Sequence, residues 1–500
     1  MSKYTTELSP SDPNHAASYK PTFSLFDATM IVAGSMIGSG IFIVSADITR
    51  NVGSAGWLIA VWLITGFMTL TAALSYGELS AMFPKAGGQY VYLKEAYNPM
   101  VGFLYGWSFF AVIQTATIAA VGVAFSKFAA YLLPVLSEDN KLFRLQTGVD
   151  DCNAPVYFSI STAQIVSIIL ITFLTYTNTR GIKGGKIIQN VFTTTKLLSL
   201  FGLIIAGLIA FKPEVWSANW SNAWAATKET LKNACDASAG FDITAIGGLA
   251  LIGGIAASMS GSVFSSDSWN NVTFIAGEIK NPKRNIGLSL FLGTLIVTII
   301  YVCANFIYLS VLPLQDIAHA EKDRVAVEAS KVIFGSSGTK VIAIMIMIST
   351  FGCNNGLILA GARVYNTMAK DGLFFKKAAE LNKNAVPEFA LWIQCVVASL
   401  LCLSGKYGDL LDMISFVVVL FYALTIIGIF ILRKKMPNAE RPYKAFLYPV
   451  LPAIYIVLAI VFCIFLIKMK PFYAGAGLII VLAGIPIYYL ALRNKTNHQS

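Results

Sequence analysis

Charge is what this 500-residue chain has little of. Asp, Glu, Lys and Arg make up 13% of it, against 56% hydrophobic residues, whereas a soluble domain is about a quarter charged. Such a chain cannot cover a water-facing surface, which excludes a soluble fold. Histidine is almost missing: His15, His319 and His498 lie in tails or a loop, and no Cys/His cluster has metal-ligand spacing. The seven cysteines are too few and too scattered for a disulfide scaffold. No Gly-rich phosphate loop is present; the nearest stretch, Arg180 to Lys186, lacks the spacing and reads as a turn. These absences argue against a metalloenzyme or an ATP-driven pump, and no cofactor and no metal are expected. The strongly alternating ten-residue segments of a membrane β-barrel are missing too.

What is present is a series of runs with no charge at all, among them 28–46, 51–77, 96–126, 152–179, 285–315, 413–432, 445–467 and 471–492. Each is long enough to cross a bilayer as a helix, which takes roughly 17–25 residues. The pattern predicts an all-α polytopic membrane protein with twelve transmembrane helices. They fall near 27–49, 57–79, 99–134, 157–177, 187–211, 248–277, 289–312, 341–369, 387–405, 411–432, 447–467 and 472–492. The polar first 24 residues contain no apolar signal-peptide core. The face holding both termini carries 22 Lys and Arg and the other 13, with Lys127 and Lys196 in or at the edge of spans. That asymmetry makes the termini cytoplasmic. It also accounts for the net charge of +11, so no nucleic-acid partner is expected. Cys152 and Cys235 fall in outward loops; a bridge between them and a bridge from one to a partner both stay open.

Two spans carry the chemistry. Span one reads Ala33-Gly34-Ser35-Met36-Ile37-Gly38-Ser39-Gly40-Ile41-Phe42, and span six reads Gly261-Ser262-Val263-Phe264-Ser265-Ser266-Asp267-Ser268-Trp269. Glycine and serine lower helix propensity and compete for backbone bonds, and unwound backbone at depth is tolerated only where it lines a cavity. A matched pair of interrupted spans points to a transporter's midplane site. Spans one and six are five apart, an odd number, which implies an inverted repeat. A half-helix starting near Ser39 offers N–H groups to a carboxylate, and carbonyls freed before each break accept from an ammonium. One site with both features fits a zwitterion, an amino acid. Close helix packing is the plainer use of such glycines. Asp267 reads, with Ser266, as an N-cap of the following half-helix, and otherwise as a titrating or substrate-touching acid. Lys196 has two readings, snorkelling to the nearby interface or pointing inward as a fixed cation in the place of a sodium ion.

A set of stretches is distinctive when taken together, beginning with the Gly-Ser-Gly-Ile-Phe of span one and the stretch Glu78 to Glu95, with Pro84, Gly87, Gly88, Tyr90 and Tyr92. Phe264, Asp267, Trp269 and Asn270 follow in span six, then Glu278-Ile279-Lys280-Asn281-Pro282. Gly352 and Asn355 with Ala362-Arg363, Met368 and Asp371, and Pro437 with Arg441-Pro442-Tyr443, complete the set. Together they resemble the amino acid–polyamine–organocation superfamily, in particular its L-type branch and the bacterial relatives. The resemblance implies a five-plus-five inverted repeat (a leucine-transporter-like fold) with broken helices 1 and 6, alternating access and sodium-independent amino acid transport. It implies tails over 1–26 and 493–500, repeats over 27–211 and 248–432, an outward loop over 212–247 and two added helices over 433–492.

Carried over by residue, the resemblance gives the amides of Ser39 and Gly40 the substrate carboxylate. Carbonyls of Met36, Phe264 and Asp267 take the amine, the Phe264 ring forms an outer gate, and Ile37, Gly38, Ser265 and Ser266 complete the site. Lys196 matches the lysine that stands in for sodium, linking span one to span eight through Ser349 or Thr350. The chain departs from the L-type pattern at Ser266 and Asp267, where that branch often has an aromatic and a glycine. Cys152 lies in the loop where eukaryotic light subunits link to a heavy chain; with Cys235 at hand, no accessory subunit is inferred. The expectation is a secondary transporter of L-amino acids, neutral rather than cationic, in the plasma (inner) membrane, working by exchange or with proton coupling. Its rivals are a polyamine or cationic amino acid carrier and a non-transporting sensor, for which 212–247 is too short an output domain.

Overall fold

The computed structural model describes residues 21–149, 152, 154–233, 235, 240–404 and 407–496. Most of the expected N-terminal tail and the end of the C-terminal tail lie outside the described residues. Ten helices among those described are long and apolar enough to cross a membrane, and Leu25–Met36 and Glu388–Leu403 are shorter apolar helices. The chain is a multi-pass membrane protein.

The first apolar run is not one helix. α1 (Leu25–Met36) starts at Ser24, whose hydroxyl accepts from the Asp27 amide while the Asp27 carboxylate accepts from the Ser24 amide at 2.8 Å, a reciprocal cap. It stops at Met36; a short turn, Gly40–Phe42, leads into α2 (Val44–Val52), which ends on Gly53 in the left-handed region, φ 62°. α3 (Ala55–Met82) follows, and α4 (Gln89–Ala96) lies in the next connection. α5 (Pro99–Ser108) and α6 (Gln114–Leu132) form one span joined by a π-helical turn at Phe109–Ile113. α7 (Thr162–Thr179) and α8 (Ile182–Ile209) come next, then the short α9 (Pro213–Trp220).

The second interrupted span is α10 (Gly248–Ser265) followed by only four helical residues, α11 (Asn271–Phe274). α12 (Pro282–Val311) opens with proline in its first turn, where the missing N–H costs nothing. After α13 (Leu314–Ala318), α14 (Val325–Lys370) begins well before the expected 341 and turns at Gly335, φ 73°. α15 (Glu388–Ser404), α16 (Tyr407–Lys435), α17 (Val450–Met469) and α18 (Pro471–Thr496) complete the bundle.

The all-α expectation needs one correction. Two loops on the face opposite Phe23 fold as antiparallel hairpins, β1 (Lys141–Val149) with β2 (Pro155–Ser161), and β3 (Thr227–Leu231) with β4 (Phe241–Ala245). Outside the membrane these segments need no helix to satisfy their backbone, and Val156, Tyr157, Phe158 and Ile160 favour a strand. Cys152 and Cys235 are bonded to each other and tie the two loops together. Of the two alternatives for these cysteines, the internal bridge is the one formed.

The other face is closed by ionic contacts. Glu278 pairs with Arg363 at 3.1 Å, both fully buried. The amides of Thr22 and Phe23 donate to the Glu278 carbonyl, and Lys280 N–H donates back to Phe23. The start of α1 is thus sewn to the end of the second interrupted span. Inside the bundle α1 is lodged against α8, α12 and α14, so helices from distant parts of the sequence reach its break.

Candidate functional site

The break in span one runs over Ile37–Ser39. Ile37 is extended, φ −74° and ψ 91°, and its amide still donates to Ala33, but its own carbonyl has no helical partner. Lys196 supplies one. Its ammonium, buried to 1% exposure, donates to the carbonyls of Gly34 at 2.5 Å and Ile37 at 2.8 Å. A helix end in a dry interior leaves carbonyls that must find donors, and a cation makes the strongest ones. Snorkelling is therefore the wrong reading of this residue.

Span eight adds two more donors. The Ser349 hydroxyl lies 3.3 Å from the Ile37 carbonyl and 3.5 Å from that of Gly38, and the Cys353 thiol donates to Ser35 at 3.1 Å. Ser349 is the link between spans one and eight. Thr350 is not: its hydroxyl bonds Ile346 at 2.9 Å and Met347 at 3.0 Å in its own helix. The one-residue step along α14 turns it away.

The two breaks touch each other. A side chain at Gly40 would collide with Ser265, so glycine there is what lets α10 lie against the turn. The Tyr301 hydroxyl sits between the Met36 carbonyl at 3.1 Å and the Ser265 carbonyl at 2.9 Å, joining the last residues of α1 and α10. Tyr301 was not singled out in the sequence, although a signal existed. Tyr301, Asn305 and Tyr308 stand at i, i+4 and i+7 of the charge-free run 285–315, one face of α12. Asn305 accepts from Ser45 at 2.6 Å, and Tyr308 donates to Ile41 at 3.3 Å. Tyr301 of this polar stripe thus joins the two breaks, and Asn305 and Tyr308 address the second half of span one.

The remaining residues divide between backbone and side-chain roles. Ser39 is fully buried, and its carbonyl accepts from Phe42 at 3.1 Å as the turn begins; the first amides of any helical turn lack an intrahelical acceptor. The Met36 carbonyl accepts from Gly38 as well as Tyr301, and the Phe264 carbonyl from Asp267 at 3.2 Å. Phe264 is buried beside the break. The Ser265 hydroxyl donates to Gly261 at 2.7 Å, and Ser266 continues the helix through its amide alone.

Asp267 does not cap the following helix. Its carboxylate accepts from the Tyr422 hydroxyl at 2.5 Å, and the cap position of α11 belongs to Asn270, whose side chain instead donates to Gln89 at 3.0 Å. Five non-helical residues separate α10 from α11, too many for Asp267 to reach the α11 amides, and Ser268 adopts φ 64°. A small cavity borders this break, lined in part by Asp267, Asn270, Asn271, Gln89, Gln114 and Tyr422. Among the described residues, no three His, Cys, Asp or Glu could hold a metal ion. The arrangement offers backbone dipoles of both signs, a fixed cation behind one break and an acid in the other, which suits binding of a small zwitterion rather than bond-breaking chemistry.

Comparison with known proteins agrees in kind. The sequence model of the family described as "Amino acid permease" matches residues 23–491. The human "Large neutral amino acids transporter small subunit 2" is 30% identical over 479 residues, 95% of this chain and 81% of that protein. The mouse "Asc-type amino acid transporter 1" is 28% identical over 476 residues, 95% and 81% of the two chains. A "Serine/threonine exchanger" of Bacillus subtilis (strain 168) is 28% identical over 485 residues, 96% and 98%.

Proposed function

The chain belongs to the amino acid permease family, and from that premise we propose that it exchanges neutral L-amino acids across the plasma membrane without sodium. Amino acid transport follows from the family; neutral substrates, exchange and the membrane concerned are our reading. The relatives named for large neutral amino acids and for serine/threonine exchange support it. The observation that carries the sodium-independent part is the Lys196 ammonium on the carbonyls of Gly34 and Ile37. A sodium ion would need such oxygens, and here a covalently attached cation holds them.

In this reading the substrate carboxylate lies on the amides of Ser39 and Gly40 at the start of the turn. Its ammonium takes the Asp267 carbonyl first. The carbonyls of Met36 and Phe264 already accept bonds, so the ammonium reaches Met36 by displacing the Tyr301 hydroxyl. Ile37, Gly38, Ser265 and Ser266 shape the pocket through backbone, and the Phe264 ring closes it from outside. Twelve spans in a five-plus-five inverted repeat, over 27–211 and 248–432, and cytoplasmic termini belong to the same proposal; the excess of Lys and Arg on the Phe23 face supports that orientation. Cys152 is bonded to Cys235, so no disulfide-linked subunit is inferred.

The test is uptake of a labelled amino acid panel into proteoliposomes, run with empty lumen, with unlabelled internal amino acid, and with an inward proton gradient. Exchange predicts uptake of neutral amino acids only with internal amino acid, in sodium or in its absence. Gradient-driven accumulation into empty vesicles would make the protein a proton symporter. Uptake restricted to arginine, lysine or polyamines would overturn the neutral-substrate reading.

A further inference from the structure

A groove of about 660 Å³ lies on the outside of the bundle at the Phe23 face, away from both helix breaks. Its size is that of a small-molecule site, about 300–1,000 Å³. Two glycines make room for it. A Cβ on Gly287 of α12 would meet the backbone of Gly77 of α3 at 3.5 Å, and one on Gly77 would strike the Tyr443 ring. The helices therefore approach closely, and the segment after α16 folds down over them.

That segment is the groove's outer wall, and it is firmly held. The buried Glu78 carboxylate accepts from Arg433 at 3.0 and 2.7 Å and from the Ala445 amide at 2.7 Å, with Arg441 at 3.3 Å. Tyr443 and Phe446 line one side; Leu74, Leu288 and Phe291 line the other. Phe446 is 56% exposed and is followed by the exposed Leu447 and Val450, in a charge-free run, as befits a wall turned to lipid. The groove is apolar along its length and basic at its mouth, where Lys283 and Arg284 complete the lining.

The two cations are not explained by the helix that carries them. They stand in the first turn of α12, the end at which the helix dipole disfavours positive charge. Among the described residues, Lys283 has only a solvent-exposed pairing with Glu440 at 3.2 Å. Arg284 has no ion-pair partner among the described residues. A basic mouth above an apolar slot between membrane helices matches one ligand chemistry, an anionic headgroup with an acyl chain.

We propose that this groove binds an anionic phospholipid, its phosphate on Lys283 and Arg284 and an acyl chain along Leu74, Leu288 and Phe291. The inference goes beyond amino acid exchange and is read by binding alone. The full chain is reconstituted in phosphatidylcholine vesicles containing a minor fraction of photoactivatable phosphatidylglycerol, or of the matching phosphatidylcholine, and the labelled peptides are mapped. Phosphatidylglycerol is expected to label the Leu288–Phe291 stretch, and the choline lipid much less. Lys283→Ala with Arg284→Ala should cut that labelling about thirty-fold, two basic contacts acting together, with an unchanged thermal midpoint in pure phosphatidylcholine. Glu440→Gln, which removes the competing carboxylate, should raise it, and Gly287→Leu, which fills the slot, should abolish it. Equal labelling by both lipids, or labelling unchanged in the double variant, would overturn the proposal. So would displacement of the lipid by excess inorganic phosphate, which would mean a phosphate site only.

Discussion

Between α1 and the turn at Gly40–Phe42 three residues interrupt the helix, and the freed carbonyls meet donors from elsewhere: Lys196 from α8, Ser349 and Cys353 from α14. Between α10 and α11 five do, and the group needing a partner is an acid, Asp267, met by the Tyr422 hydroxyl of α16. The first break is buried and is held by a charge that is part of the chain. The second borders a small cavity of about 10 Å³, room for about one water in place of a lost partner. The difference teaches where each break is vulnerable. Loss of a donor at the first strands buried carbonyls, whereas loss at the second is partly made good.

Three substitutions sharpen this contrast, and a fourth bounds it. Gly40→Leu forces a side chain into Ser265, where the breaks touch, and should abolish exchange in proteoliposomes. Overpacking there costs about 1–3 kcal/mol, so the purified variant should still show a cooperative thermal transition. Exchange at the wild-type rate would move the site elsewhere. Tyr301→Phe removes the hydroxyl shared by Met36 and Ser265, leaving the buried Ser265 carbonyl short of a donor while Met36 keeps the Gly38 amide. A loss of about 2 kcal/mol, on the order of thirty-fold in exchange rate, is expected, and a variant within two-fold of wild type would unlink the breaks. Tyr422→Phe should cost only about 1 kcal/mol, roughly five-fold, because the cavity supplies water to Asp267. An effect larger than that of Tyr301→Phe would reverse the contrast.

The smallest effect on exchange is expected far from both breaks. Cys152→Ser with Cys235→Ser opens a bridge spanning 83 residues. Chain entropy alone puts an upper bound of about 4–5 kcal/mol on its contribution, and the membrane spans inside that loop already restrict the unfolded chain. The thermal midpoint should fall while exchange stays within about two-fold; loss of exchange would give the outer hairpins a part in the cycle.

The membrane helices were legible because bilayer crossing demands charge-free runs, and the breaks because Gly34, Gly38 and Gly40 crowd one turn and a half of such a run. The direction of Lys196 was not legible from its position. Two turns from an interface, a four-carbon stem reaches water or a buried carbonyl equally well, and only the packing of α8 on α1 decides. Thr350 and Ser349 are neighbours in sequence, yet a 100° step on α14 separates them. Asp267 misled because capping assumes that the helix resumes at once, and the chain waits until Asn271. Tyr301 was legible by its spacing with Asn305 and Tyr308, a face that hydrophobic counting overlooks. The hairpins went unread because hydropathy, which finds spans, says nothing about loops.

The claim at the centre of this account is that the Lys196 ammonium does the work of a bound cation at the first break. It is tested most directly by steady-state exchange of Lys196→Ala in amino-acid-loaded proteoliposomes, with turnover and KM measured separately. Removal of two charge-assisted bonds of about 1.5–3 kcal/mol each should lower turnover by two orders of magnitude or more while KM moves less than about three-fold. Normal turnover in Lys196→Ala, with sodium absent on both sides, would contradict it.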